Sequence, residues 1–361
     1  MINNKILIVH DYPILENEGG PRGYYNKCIY LNEPVNLVSL NDVVINLKKI
    51  SLKKRVLIKK EFIWHVLSNV KYRNINLANK FIKIPNHKFL YFHDIYSFND
   101  IKHLIGRDQI VIFQPHSPEL PSVEELNTGI SEKKYNAIVK LEKAIFNRAN
   151  YIILPNQECL SIYKAIISEK HKILFLRTGI KSITNLNKIP LDHSKINLFY
   201  IGRRNDIKGF PVLLKNFKKA IEKREDLRLF IAGSGDYIND KNIIDIGPTN
   251  RAYDWINSMD YVVSPNKSSY FDLNVLESIA IGIPIIMTTT QGHHFFKNKK
   301  GIISITHDTF YDVLIDKSLI KKDYKEKNQK DLLSFYEKDL SSSVYKLALE
   351  NLCNTIILEN Y

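Results

Sequence analysis

Two successive open α/β domains, each a parallel sheet with helices on both faces, are the fold class this sequence predicts. Three observations lead there. Short, almost continuous apolar runs recur between turn residues; amphipathic helical patterns alternate with them; and the alternation stops at a polar, aperiodic stretch near residue 190 and then begins again. Parallel strands covered on both faces read as continuous apolar runs. Strand–helix alternation then implies a doubly wound sheet.

In the first half, residues 6–9, 89–92, 110–113, 151–154 and 173–176 are expected as buried strands. The clearest helix runs over 132–149, where Ile138, Leu141, Ile145 and Ala149 fall three or four apart. The second series places strands at 197–201, 227–232, 243–246, 261–263 and 283–287, and helices at 211–223, 252–259 and 273–281. Pro211 suits a first helical turn, where its missing N–H would have no intrahelical partner. The segment 180–195, with Pro190 and several Ser, Asn and Asp residues, is expected as the linker. The domains are therefore 1–180 and 197–339, with a helix in 340–361 (Val344, Leu347, Ala348, Leu352, Ile356) long enough to cross back to the first. Ligands bind at the carboxyl edges of such sheets, so the expected site is a cleft across which the two domains face.

The chain has 361 residues, room for two cores, and its 44% hydrophobic and 25% charged residues exclude wholesale disorder and fibrous repeats. Cys28, Cys159 and Cys353 are far apart and lack metal-ligand spacing, which argues against a disulfide framework or structural zinc and for a reducing cytoplasm. The longest apolar run, 279–287, is broken by Gly282 and Pro284, and residues 1–9 lack the form of a signal peptide. A soluble or peripheral protein is expected. Lys and Arg outnumber Asp and Glu by 52 to 38, a net charge of +14 that implies an anionic partner: nucleic acid, a membrane surface or a phosphorylated substrate. Solvated helix faces explain the scattered lysines equally well.

Two segments carry the chemistry. In 200–210, Gly202 ends a strand, and Arg203 and Lys208 place two cations before a helix N-terminus, a combination suited to a diphosphate or to ordinary solvated loop charges. In 264–286, a Ser/Asn-rich loop leads into a helix whose Glu277 can accept hydrogen bonds from a ribose diol or simply complement the helix dipole. Together and in this order, the runs FYIGR, KGF, LFIAGSG, IGP, VVSP and LESIAIGIPII resemble the donor-binding domain of the retaining GT-B glycosyltransferases of family 4, the glycosyl transferases group 1. The resemblance covers about 197–292 and is looser upstream.

That resemblance implies two Rossmann-like domains, with Arg203 and Lys208 neutralising the leaving diphosphate and Glu277 holding the nucleotide ribose. Leu273 and Asn274, opening the same helix, join the donor site. The family commonly has a second Glu where this chain has Ser269, and a Gly where it has Asp272. Asp272 either replaces the missing carboxylate or caps the helix that follows. In the amino-terminal half, Gly19 and Gly20 fall where similar enzymes close backbone over the donor phosphates, although surface turns use the same residues. His116 matches in placement the family histidine beside the reacting sugar, and His93 with Asp94 forms a second candidate pair at the end of the preceding strand.

No paired aspartates with metal-binding spacing follow a strand, so a metal-independent reaction with no cofactor beyond the nucleotide-sugar co-substrate is expected. The implied activity moves a hexose or N-acetylhexosamine, from a UDP-linked donor, with retention, to a glycan or lipid-linked acceptor. Surface polysaccharide synthesis at the inner face of the cell membrane is the implied setting, and the basic stretch 45–60 suits an anionic leaflet. A nucleic-acid-binding role lacks any recognisable reading module. A catalytically inactive nucleotide-sugar-binding protein is the remaining alternative, motivated by Ser269.

Overall fold

A computed structural model describes residues 3–10, 23–24, 27–28, 37–39, 56, 84–127 and 129–361. Gly19, Gly20 and nearly all of the basic stretch 45–60 lie outside the described residues. The chain divides into two compact units: one holds the described residues up to Leu154 with Tyr163–Leu176 and Lys346–Tyr361, the other Pro155–Ile162 and Arg177–Tyr345.

In the first unit the strands are β1 (Asn3–Val9), β2 (Leu37–Ser39), β3 (His87–Phe92), β4 (Ile110–Phe113), β5 (Tyr151–Leu154) and β6 (Lys172–Phe175). They form a parallel sheet in the order β2-β1-β3-β4-β5-β6. The chain steps outward from β1 and then returns to its other side, so the order reverses between β1 and β3. Register brings the carboxyl ends level there: Val9 pairs with Phe92, and Phe92 with Phe113. Helix α1 (Ile95–Ile101) starts on Asp94, and α2 (Glu132–Arg148) packs Phe146 edge-on against Phe113, with ring centroids 5.2 Å apart. β6 departs from the expected buried strand. It forms the sheet edge, and Phe175 stays exposed because only β5 flanks it.

The second unit holds β7 (Ile196–Ile201), β8 (Leu227–Ala232), β9 (Ile243–Gly247), β10 (Tyr261–Ser264), β11 (Ile285–Thr288) and β12 (Ile302–Ile305). Their order, β12-β11-β10-β7-β8-β9, is parallel throughout and is that of a dinucleotide-binding sheet, reversing between β7 and β10. Helices α3 (Phe210–Ile221), α4 (Ala252–Ser258) and α5 (Leu273–Ile281) lie close to their expected bounds. Leu213 and Phe217 of α3 pack on Leu198, Leu229 and Ile231, all fully buried. Each such side chain contributes about 1.5–3 kcal/mol of transfer free energy.

The polar segment 180–195 belongs to the second unit. Its groups are hydrogen-bonded there: Ile180 N to Leu340 O, Asn187 N to Asp254 Oδ1 and Ile189 N to Ser258 Oγ. Helix α6 (Ser342–Leu358) closes the chain, its residues from Lys346 on lying in the first unit. Among the described residues no helix is long and apolar enough to cross a membrane.

Candidate functional site

The loop from β7 to α3 is shaped by Gly209. It sits at φ +65°, and a Cβ there would lie 1.8 Å from the Pro265 carbonyl oxygen, so only glycine allows this approach to the loop after β10. Lys267 N donates to Ile207 O at 2.8 Å and ties the same two loops together. The adjacent arginines part company. The Arg204 side chain is buried and grips Asp245 of β9 through both terminal nitrogens, at 2.6 and 2.5 Å, whereas Arg203 is exposed.

Lys208 reaches across to α5. Its Nζ donates to both carboxylate oxygens of Asp272, each at 2.9 Å. Asp272 stands at the N-cap of α5, yet its side chain makes no capping bond. It instead accepts from Lys208 and from Asn266 Nδ2, and His293 Nε2 lies 3.3 Å from Oδ2. The Asp272 side chain is therefore not a helix cap. Desolvation opposes ionisation of Asp272, but Lys208 and His293 outweigh it and hold the carboxyl well below its ordinary range. His293 is fully buried: its Nε2 faces Asp272, and its Nδ1 has no hydrogen-bond partner among the described residues. Its short helix is fixed by Gly292, where a Cβ would lie 1.6 Å from the Tyr270 carbonyl oxygen.

Ser269 does not make up for the missing glutamate. Fully buried, it spends its hydroxyl on Thr290, whose carbonyl accepts from it and whose Oγ1 lies 2.9 Å away. In the first turn of α5, Asn274 donates to the Ile201 carbonyl at the end of β7 (3.2 Å), which locks the start of the helix onto that strand. Glu277 follows on the same helix, buried, and accepts from Tyr253 Oη at 3.3 Å. Both α3 and α5 begin at the carboxyl edge of the sheet, so their N-terminal partial positive charges add to Lys208 and Arg203 there.

The carboxyl edge of the first unit carries histidines. His10 follows β1, His93 follows β3, and His116 lies three residues past β4. His93 Nδ1 is 2.9 Å from His116 Nε2, and Tyr24 lies against the His116 ring with centroids 4.2 Å apart. Burial, then the neighbouring His116 and His10, push the His93 pKa well below 6.5. Burial likewise lowers His10 to about 4 and His116 to about 3. Asp94, paired with His93 in the sequence reading, serves elsewhere: it caps α1, accepting from Tyr96 N at 2.8 Å and Ser97 N at 2.7 Å.

Residues 195–315 match the family described as glycosyl transferases group 1. The matched segment lies within the second unit. Over 260 residues the chain is 22% identical to the capsular polysaccharide biosynthesis glycosyltransferase CapM of Staphylococcus aureus, covering 63% of this chain and 67% of that protein. It is equally 22% identical over 211 residues to an uncharacterized glycosyltransferase of Methanocaldococcus jannaschii, spanning 53% of this chain and half of that protein. Among solved structures, Anabaena HepE in complex with UDP superposes with a TM-score of 0.64 at 11% identity, over 97% of this chain and all of that one. WaaG, a glycosyltransferase of lipopolysaccharide biosynthesis, gives 0.56 at 12% identity over 97% and 99%. The fold is GT-B.

Within the matched segment, Lys208, Asp272, Asn274 and Glu277 gather at the carboxyl ends of β7 and β10, with Leu273 opening α5 and Arg203 on the exposed side. His116 belongs to the first unit. Asn266, His293 and Tyr253 of the second unit and His10 of the first escaped sequence reading. Only the Gly-His-His run at 292–294 gave any signal for them, a histidine pair after a strand.

Proposed function

We propose that this chain is a glycosyltransferase that moves a hexose or N-acetylhexosamine from a UDP-linked donor to a glycan or lipid-linked acceptor in the synthesis of capsular or other surface polysaccharide. The observation that carries the reading is the meeting of Lys208, Asp272, Asn266 and His293 at the β7/β10 strand reversal, one helical turn before Glu277. Nucleotides bind at such reversals. The UDP bound to HepE and the capsular role in the name of CapM support the choice of nucleotide and pathway class.

In this reading Glu277 accepts hydrogen bonds from the ribose hydroxyls, and Arg203 and Lys208 take the diphosphate. Asp272, released from part of its bond to Lys208, accepts from hydroxyls of the donor sugar in place of the absent glutamate. His116 contacts the transferred sugar, the role implied by the resemblance. The bond from the anomeric carbon to the diphosphate oxygen breaks as the acceptor oxygen attacks from the same face. Attack on that face retains the configuration, and the acceptor proton passes to the departing phosphate. Cationic side chains and helix termini stabilise the leaving group without a metal ion, and excess EDTA is expected to leave turnover within about twofold.

A second reading, a nucleotide-sugar-binding protein without turnover, is favoured by one observation: the Ser269 hydroxyl is consumed by Thr290. A thermal-shift panel of nucleotide sugars followed by a donor-hydrolysis assay separates the two. Stabilisation by a UDP-sugar with release of UDP supports the enzyme, stabilisation without release the second reading, and no stabilisation by any nucleotide sugar contradicts both.

A further inference from the structure

We propose that His93 is a positioning residue that fixes His116 in the tautomer with its proton on Nδ1, so that His116 meets the sugar as a hydrogen-bond donor. The proposal rests on the role given to His116 above and adds the state in which that residue works.

Adjacent parallel strands set the pair. Phe92 and Phe113 are in register, the ladder continues from Gln114 N to Phe92 O, and His93, next after Phe92, and His116, two residues past Gln114, bring His93 Nδ1 within 2.9 Å of His116 Nε2. One proton lies between these nitrogens, and it belongs to one ring or the other. The surroundings decide which. His93 is 1% exposed, and its Nε2 has no hydrogen-bond partner among the described residues. Were Nδ1 the acceptor, the proton of His93 would sit on Nε2, a buried N–H with nowhere to donate. With the proton on Nδ1 the donor is used and only a lone pair is left unmatched, the less rare of the two defects in folded proteins.

Charge does not offer a third solution. His93 is enclosed by Tyr91, with ring centroids 4.4 Å apart, by Tyr24 at 5.5 Å and by His116 at 5.1 Å, and His10 follows the neighbouring strand. Burial and the two nearby imidazoles keep His93 neutral at physiological pH. His93 therefore donates, His116 Nε2 accepts, and the single proton of neutral His116 is on Nδ1. In this state His116 cannot take up a proton at Nε2 without breaking its bond to His93. It serves as a donor to a sugar oxygen and not as a general base.

The test is long-range ¹H–¹⁵N correlation on the full chain with ¹⁵N-labelled histidine at pH 7, with the two rings assigned through His93→Asn and His116→Ala. Protonated Nδ1 and unprotonated Nε2 in both rings are expected; a proton on Nε2 of either ring, or a doubly protonated ring, overturns the proposal. In His93→Asn the amide N–H replaces Nδ1–H, so His116 keeps its tautomer and kcat stays within about threefold of wild type. In His93→Phe the His116 signals shift, and kcat falls about tenfold or more while UDP affinity holds, the loss of one hydrogen bond to the acting residue. Equal losses in the two variants, or unchanged His116 signals in His93→Phe, count against it. His116→Ala with normal transfer removes the sugar-donor half and with it the assigned role of His116, while the wild-type tautomer remains readable by itself.

Discussion

Lys208 Nζ bonds both oxygens of Asp272 at 2.9 Å, so the cation assigned to the leaving diphosphate is already held by a carboxylate of its own chain. An incoming diphosphate competes with Asp272 for Lys208. Asp272→Asn removes one side of that competition and is expected to tighten UDP binding severalfold while lowering transfer about tenfold to a hundredfold, since charge-assisted bonds to the sugar are lost. Calorimetry with UDP and steady-state kinetics read the two effects separately. Weaker UDP binding in the variant would show that Asp272 only orders the loop.

The neighbouring cations divide by burial. Lys208→Ala and Arg203→Ala are each expected to cut kcat by about a hundredfold with a folded protein, the magnitude found for groups that stabilise developing charge in closed sites. Arg204→Ala should act on stability, because it strands Asp245 in a site where that side chain is 2% exposed. Melting temperature together with kcat distinguishes them. A stable, inactive Arg204→Ala would reverse the assignment of the two arginines.

How much of this was legible beforehand differs from residue to residue. The Lys208-Gly209-Phe210 turn reads from sequence because its glycine and the following Pro211 obey local backbone rules. Arg203 and Arg204 look alike there; what separates them is Asp245, forty-one residues from Arg204 and across two strands. The partners of Asp272 are non-local as well, in Lys208, Asn266 and His293, so a local rule could propose only a helix cap. Residues 180–195 looked like a linker because they are polar, and composition does not reveal that the second unit takes up their hydrogen bonds. The apolar run at β6 likewise hides its place at the sheet edge.

His10, His93 and His116, at the carboxyl edge of the first sheet, give a pH dependence of stability. Their folded pKa values lie below 6.5, about 4 for His10, about 3 for His116 and well below the ordinary value for His93, with burial the leading cause in each. Between pH 6.5 and 4 the unfolded chain therefore binds more protons than the folded one, and stability falls as pH falls. The loss by pH 5 is up to roughly 2 kcal/mol for His10 and less for the partly exposed His116, and His93 adds in the same direction. Urea midpoints at pH 7.5 and 5 check it, and His93→Asn should flatten the profile. A midpoint unchanged between the two pH values contradicts the buried neutral cluster.

Attraction to an anionic membrane surface is a prediction from the sequence alone. Lys48, Lys49, Lys53, Lys54, Arg55, Lys59 and Lys60 crowd one stretch of a chain of net charge +14. Each cation near an anionic leaflet contributes about 1 kcal/mol, decaying over a Debye length of roughly 8 Å at physiological salt. Co-sedimentation with anionic liposomes is expected at low salt, lost at high salt and lost when Lys53, Lys54, Lys59 and Lys60 are changed to Glu. Equal binding to neutral vesicles would show that these lysines only solvate the surface.

The most direct test of a UDP-sugar donor site at the β7/β10 reversal is UDP release from UDP-hexoses and UDP-N-acetylhexosamines by wild type, Lys208→Ala and Glu277→Ala, with UDP affinity measured alongside. Wild type is expected to bind UDP and turn over at least one donor. Lys208→Ala should lose turnover, and Glu277→Ala should weaken UDP binding about tenfold, the loss of a charge-assisted bond to the ribose. A wild type that binds neither UDP nor any UDP-sugar, or variants indistinguishable from it, would contradict the assignment.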